Sequence, residues 1–338
     1  MTSGCGSAYL LARLLCTPAD YYILNTQEAD KTGHSSFTCF ASCYHPIYLI
    51  EFSLRNSTRL TSYSPHNLSH LITRHRMSVP ATQKAVIFGI TDNSDQTVRI
   101  EFDYPVPTPG KNELLIQNTL CGVNNVDTYY RAGFYKYKAS SPTVLGHEAV
   151  GIVSALGPGT KWCNFKVGDR VIWVHKGAYA QYSAVPVGNT LKIPKGILDH
   201  DAIAGFLNGM TALALVKEVY KVNKGEWVLL HAAESNIGLL MVQILKSLGA
   251  KIIGTVDTRT KMDLVKSLGA DVVINYSDHI KSGWPHRVKE ITKGDGPSVV
   301  YDFVGKDTWK GSLDAVKGNG TILWCGTLSG PIPPMSQR

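Results

Sequence analysis

From Trp227 onward the chain alternates strand and helix with a regularity that few folds can use. The apolar run WVLLHA (227–232) leads to a helical pattern at 236–248, and KIIGTV (251–256) to one at 260–269. DVVINY (271–276) leads to 279–292, SVVYDFVG (298–305) to 307–317, and TILWCG (321–326) follows. Strands separated by helices of this length form βαβ units, whose strands must run parallel with helices covering both faces. The predicted class is therefore α/β, with a doubly wound parallel sheet over 205–338. The stretch before it has a different texture. KAVIFGI, TVRIEFDYPVP, ELLIQNTLCGVN, EAVGIVSALG, VGDRVIWV and GAYAQYSAVP read as strands punctuated by Gly and Pro. They predict a β-rich domain over 77–204; the stretch 199–222, which runs across its end, turns helical.

Residues 1–76 follow neither pattern. They hold four of the seven cysteines and five of the eleven histidines, without a helical or strand period. The segment AYLLARLLC lacks a charged leader and a cleavage site, and Asp20, Glu28 and Asp30 argue against a mitochondrial presequence. This leader is expected to be mostly disordered, or an extension of the gene model, with Met77 a natural start. The cysteines are dispersed and odd in number, which suits a reducing compartment. Cytoplasm is the expectation, mitochondrion the alternative. No run of 18 apolar residues occurs, so no membrane span is expected. The net charge of +8 suits an anionic cofactor, nucleic acid or solubility alike, and no block of five Lys and Arg singles out RNA or DNA.

The first turn of the parallel run, AAESNIG (232–238), is where a dinucleotide fold presents backbone N–H groups to a diphosphate at a helix N-terminus. Such turns favour glycine, and here only Gly238 is one. Glu234, Ser235 and Asn236 take the central positions. If they must adopt positive φ, each costs on the order of 1–3 kcal/mol, and Glu234 adds negative charge beside a phosphate. A plain strand–turn–helix without ligand is the competing reading of this turn. Asp257 lies 19 residues beyond Gly238, where an acid holds the ribose hydroxyls and favours NADH over NADPH. Arg259, Lys261 and Tyr276 offer the opposite chemistry, a cradle for a 2′-phosphate.

With these residues in view, the chain from about Lys84 to about Pro334 resembles the zeta-crystallin-like NADPH:quinone oxidoreductases, the zinc-free branch of the medium-chain dehydrogenase/reductase superfamily. The motifs are GVNNVDTYYRAGFY, GHEAVGIVSALG, VGDRV, GAYAQY, FLNGMTAL, HAAESNIGLL and YDFVGKDTW, in order and at matching spacing. The resemblance implies a GroES-like catalytic domain, a Rossmann domain and a cleft between them. Zinc-dependent members carry Cys where this chain has Asn124, and another near Leu207 and Asn208. His147 alone is no zinc site, so no metal is expected. The family turn reads AAAGGVG, so two of its glycines are replaced. The resemblance assigns Asn124, Tyr129 and Tyr135 to the quinone side. It assigns Asp127, Thr211, Ser235, Asn236, Ile237, Gly238, Asp257, Lys261, Tyr276, Phe303, Val304 and Gly326 to the cofactor, with Lys261 and Tyr276 at the NADPH 2′-phosphate. Cys325 stands where an aromatic residue flanks the nicotinamide.

The implied reaction is hydride transfer to a quinone or related enone, with hydrogen-bond donors meeting the developing oxyanion. Relatives also imply a homodimer joined through the sheet edge, and a chain continuing some tens of residues past Arg338. A C-terminally truncated sheet is expected to leave an open edge and lower stability. Two other classes stay open: an RNA-binding or crystallin-type protein, and an inactive fragment. Restoring glycine at Ser235 and Asn236 is expected to tighten nucleotide binding.

Overall fold

A computed structural model describes residues 49–51, 79–90, 96–131, 143–276 and 283–334. These residues divide into two compact units, one spanning Leu49–Ile203 and one running from Ala204 onward. Of the leader expected over 1–76, only 49–51 falls within the described residues; the remainder of that expectation lies outside them.

The first unit is built of antiparallel strands. One sheet has the order β1 (Leu49–Glu51), β4 (Glu113–Gly122), β6 (Glu148–Leu156), β7 (Arg170–Val174), β9 (Thr190–Lys192), with β8 (Tyr182–Pro186) also paired to β4. A smaller sheet has the order β3 (Gln96–Pro105), β2 (Thr82–Ile90), β5 (Thr143–Val144). The inward residues of β4, β6 and β7, among them Leu114, Ile116, Val150, Val153 and Trp173, are fully buried. Asn118 satisfies the polar groups within this core. Its amide donates to Ala180 O at 2.8 Å and Ser183 Oγ at 2.9 Å, and its oxygen accepts from Trp173 Nε1 at 3.1 Å. A buried amide so fully engaged avoids the cost of an unmet donor.

The stretch 121–138 reads as a loop from sequence, but Asn125–Arg131 forms a helix, α1. Asn and Asp weaken helix interiors yet serve helix starts. Here the Asp127 carboxylate reaches back and accepts the Asn124 N–H at 2.9 Å, the reciprocal half of a capping box. Residues 132–142, with Tyr135, lie outside the described residues.

In the second unit all five strands are parallel, in the order β12 (Val272–Asn275), β11 (Lys251–Val256), β10 (Trp227–Leu230), β13 (Val299–Asp302), β14 (Thr321–Trp324). The period-two rule divides each strand between two cores. Val228, Leu230 and Ile252 pack with Met241 and Leu245 of α4 (Asn236–Ser247) and Val265 of α5 (Met262–Ser267). Leu229, Ile253 and Val300 pack with Trp284 and Val288 of α6 (Trp284–Ile291) and Ala315 of α7 (Trp309–Ala315). Two cores on opposite faces define a doubly wound sheet.

No run of 18 apolar residues occurs, yet Asp199–Val219, 21 residues long, is long and apolar enough to cross a membrane by length and composition. It is not one continuous α-helix: α2 (Asp199–Gly205) and α3 (Leu207–Ala214) are separated at Phe206, and a wider turn follows over Leu215–Val219. It carries Asp199, Asp201, Lys217 and Glu218, and buries Ala212 and Val216 in the first of the two cores.

Candidate functional site

In a doubly wound sheet the ligand crevice lies at the carboxyl ends of the strands where the strand order reverses, here between β10 and β13. The turn after β10 approaches α4 closely. A Cβ on Gly238 would stand 2.4 Å from Ala232 O and 2.7 Å from Ala233 O, both backbone atoms that cannot yield cheaply. The one glycine kept in the turn is thus the one its packing requires. Gly238→Ala is expected to destabilise the parallel unit by roughly 2–3 kcal/mol and abolish dinucleotide binding, read by thermal melting and fluorescence titration.

The strain expected at Glu234, Ser235 and Asn236 is not found. None of the three has positive φ, and the turn's left-handed residue is Ala232, at φ 52°. Ser235 is extended, at φ −73° and ψ 164°, and caps α4 by accepting the Gly238 N–H at 3.2 Å. Serine is among the best residues for that position. Substituting glycine at Ser235 and Asn236 therefore has no backbone strain to relieve. Ile237 and Asn236 form the first turn of α4, where amides suit an anion.

Beyond the turn, at the end of β11, three ionisable side chains meet. Asp257 N–H donates to Glu234 Oε1 at 3.1 Å, and Lys261 Nζ lies 3.1 Å from Asp257 Oδ1 and 3.3 Å from Oδ2. Glu234 is 7% exposed, and among the described residues its Oε2 has no hydrogen-bond partner. Burial pushes its carboxyl up to about 7, with the charge of Asp257 adding and the backbone N–H groups and Lys261 opposing. Burial works to raise Asp257 also, but the Lys261 bond and charge hold it below the usual carboxylate range.

Tyr276 turns inward. Its hydroxyl meets Nδ1 of His231, a fully buried residue that reasoning from sequence passed over. His231 Nε2 lies 3.1 Å from Ser312 Oγ, which donates to Asp302 Oδ2 at 2.8 Å. Because Ser312 spends its proton on Asp302, it must accept from His231 Nε2–H. Nδ1 is then an acceptor and the Tyr276 hydroxyl the donor. Burial lowers the imidazole to about 4, which keeps it neutral. Asp302 also takes the N–H groups of Val304 and Gly305 and the Thr308 hydroxyl, fixing the loop after β13. Phe303 is buried there, and Gly326 lies close enough that a Cβ would meet Phe303 O at 2.6 Å. The Cys325 thiol is raised by burial to about 12, so it is no nucleophile. Thr211, on α3, is exposed and donates back to Leu207 O at 2.7 Å.

In the antiparallel unit a second cluster forms around α1. Asp127, 6% exposed, accepts from Asn124 N–H, from the Tyr179 hydroxyl at 2.6 Å, and meets His147 Nδ1 at 2.6 Å. Asn124 Nδ2 donates to buried Glu148 Oε1 at 2.7 Å, and Gly122 leaves the space, since a Cβ there would sit 2.2 Å from that oxygen. Burial first, then Asp127, raises Tyr179 far above the phenol range, so it stays a donor. Tyr129 lies half-buried on α1. Tyr179, Glu148 and His231 escape sequence reasoning because their partners lie 24 to 81 residues away.

An antiparallel unit of this kind, followed by a doubly wound sheet, defines the two-domain dehydrogenase class. Residues 110–195 match the alcohol dehydrogenase GroES-like domain, and residues 236–338 the zinc-binding dehydrogenase family. The chain is 40% identical over 226 residues to a quinone oxidoreductase of Salmonella typhimurium, covering 66% of this chain and 67% of that protein. It is 40% identical over 236 residues to a 2-haloacrylate reductase of a Burkholderia species, covering 68% and 69%. The solved quinone oxidoreductase of Escherichia coli in complex with NADPH matches with a TM-score of 0.69 at 35% identity, over 75% of this chain and 76% of that one. The chain belongs to the quinone oxidoreductase family of the medium-chain dehydrogenase/reductase superfamily.

The zinc in the matched family's description does not fit this donor set. Among the described residues no three His, Cys, Asp or Glu side chains gather to hold a metal. Asp127 Oδ1 and His147 Nδ1 are bonded to each other, and an amide, Asn124, stands beside them.

Proposed function

We propose that this chain is a zinc-free reductase that transfers hydride from a reduced nicotinamide dinucleotide, NADPH in the solved E. coli relative, to a quinone or related enone. The observation that carries the reading is the crevice at the end of β10, where the Gly238 approach and the Ser235-capped start of α4 set backbone amides toward an anion. Family membership at 40% identity supports it. Asn236 and Ile237 meet the diphosphate through their N–H groups, while Ser235 and Gly238, whose N–H groups go to Ala232 O and Ser235 Oγ, shape the turn. Asp257 and Lys261 flank the adenosine ribose, and Thr211, Phe303, Val304 and Gly326 complete the cofactor's seat in the parallel unit. Tyr276, which faces His231, and Asp127, whose oxygens are taken within the antiparallel unit, leave the set that the resemblance assigns to the cofactor.

When bound, the reduced nicotinamide supplies a hydride, two electrons and a proton nucleus. The acceptor gains it with one further proton from water, giving a hydroquinone. Asn124, Tyr129 and Tyr135 meet the oxyanion that develops meanwhile. Glu148 holds the Asn124 amide through one N–H, and burial keeps that carboxylate from straying. Asn124→Ala is expected to lower kcat about 100-fold while leaving the nucleotide Kd within threefold, the size of effect seen when one oxyanion donor is lost.

Reduced dinucleotide is titrated by nicotinamide fluorescence, and 9,10-phenanthrenequinone is then added. Binding followed by oxidation supports the reading; no binding of either nucleotide at millimolar concentration overturns it. Among the described residues the cysteines are free thiols, which agrees with a reducing cytoplasm. Assembly as a homodimer through the parallel sheet is part of the reading and is checked by sedimentation.

A further inference from the structure

Of the three groups that suit a 2′-phosphate in the adenosine-ribose corner, Lys261 and Tyr276 are already engaged within the chain, and Arg259 lies exposed in the turn Arg259–Lys261. The Lys261 ammonium is bracketed by the two oxygens of Asp257 at 3.1 and 3.3 Å. The Tyr276 hydroxyl donates inward to His231 Nδ1, a direction fixed by the Asp302–Ser312–His231 chain. Opposite them stand two carboxyl groups. Asp257 is solvent-facing, and Glu234 is 93% buried with one oxygen engaged by the Asp257 N–H and the other without a partner. A ribose 2′,3′-diol brings two O–H donors, which carboxyl oxygens accept. A 2′-phosphate brings up to two negative charges and acceptors only, and meets acceptors of the same sign.

We propose that Glu234 and Asp257 act together as a specificity-determining pair that reads the adenosine ribose as an unphosphorylated diol, so that NADH is the favoured hydride donor over NADPH. The inference rests on the reading of the crevice as a dinucleotide site. Asp257 alone is the ordinary acid at the end of a second strand. Glu234 is the added element, contributed by the first turn, buried behind Asp257 and tied to its backbone.

The test is the ratio of dissociation constants, Kd(NADPH) over Kd(NADH), measured by nicotinamide fluorescence on the full chain at pH 8 and low salt. The wild type is expected to give a ratio of at least 10. Glu234→Ala and Asp257→Ser are each expected to lower it at least fivefold, and the double variant to invert it. Lys261→Ala added to Asp257→Ser is expected to cancel the gain in NADPH affinity, since that background releases the ammonium. Glu234→Gln, which keeps size and a hydrogen bond, serves where the alanine variant fails to fold. A wild type that binds NADPH more tightly, or carboxyl variants whose ratio stays within twofold of wild type, overturns the proposal. Absence of binding by both nucleotides overturns the dinucleotide reading instead, and so separates the two.

Discussion

Asp127→Ala is expected to lower the stability of the antiparallel unit by about 3–5 kcal/mol. The carboxylate is 6% exposed and is the common acceptor for the Asn124 N–H, the Tyr179 hydroxyl and His147 Nδ1. Removing it leaves buried donors unmet, at about 1–3 kcal/mol each. It also removes the reciprocal bond that starts α1, worth about 1 kcal/mol. Tyr179 cannot compensate by ionising, because burial and the neighbouring carboxylates hold its proton. For a unit of some 150 residues a loss of this size moves the melting temperature by about 10 °C or more. Thermal unfolding followed by tryptophan fluorescence checks it, since Trp173 lies in the same core. A melting temperature within 2 °C of wild type removes the account of Asp127 as the organising acceptor. Asp127→Asn keeps one acceptor oxygen and is expected to fall between.

What the sequence disclosed and what it withheld divide along one physical line. Period-two and helical patterns are local, so the five parallel strands and the helices between them stand in the structure close to the runs that announce them; the start of the 279–292 pattern, at 279–282, lies outside the described residues. Family membership follows from motifs whose order is itself a sequence property. The helix Asn125–Arg131 was hidden because its residues are poor helix formers; what secures it is a cap formed by Asp127. Missing glycines point to strain at Glu234 to Asn236, yet the chain puts its positive φ on Ala232. The resemblance sets Tyr276 at a phosphate. Tyr276 faces His231, because a buried acid 26 residues further on, through Ser312, decides which imidazole nitrogen carries the proton. Such pairings depend on tertiary neighbours, and no local pattern encodes them.

The second large effect is a change in how stability depends on pH, centred on Glu234. Its folded carboxyl titrates at about 7, above the ordinary 4.5, chiefly through burial. The folded chain therefore holds this proton more tightly than the unfolded chain. The stabilisation is complete below 4.5 and is lost as pH rises through 7. At 1.36 kcal/mol for each pH unit, that window is worth on the order of 3 kcal/mol. His231 acts in the opposite sense. Its folded imidazole titrates at about 4, below the ordinary 6.5, again through burial. Its neutral form is compatible with the fold, so stability is lost as pH falls from 6.5 toward 4. Between 4.5 and 6.5 the two slopes oppose, and wild-type stability is expected to be nearly flat there, falling only from 6.5 to about 7. Glu234→Gln removes one slope and leaves the other. Its stability is expected to rise with pH up to 6.5 and then hold, exceeding wild type by about 2–3 kcal/mol at pH 8 and matching it within 1 kcal/mol at pH 4.5. The ionisable side chains acting on Glu234 are Asp257, Lys261 and Tyr276, and all three are unchanged in the variant. Urea unfolding at pH 4.5, 6.5 and 8 reads the difference directly. If the gap between variant and wild type is the same at all three, the buried proton does not sit on Glu234, and the carboxyl behind Asp257 carries a permanent negative charge whose compensation must then come from Lys261 alone.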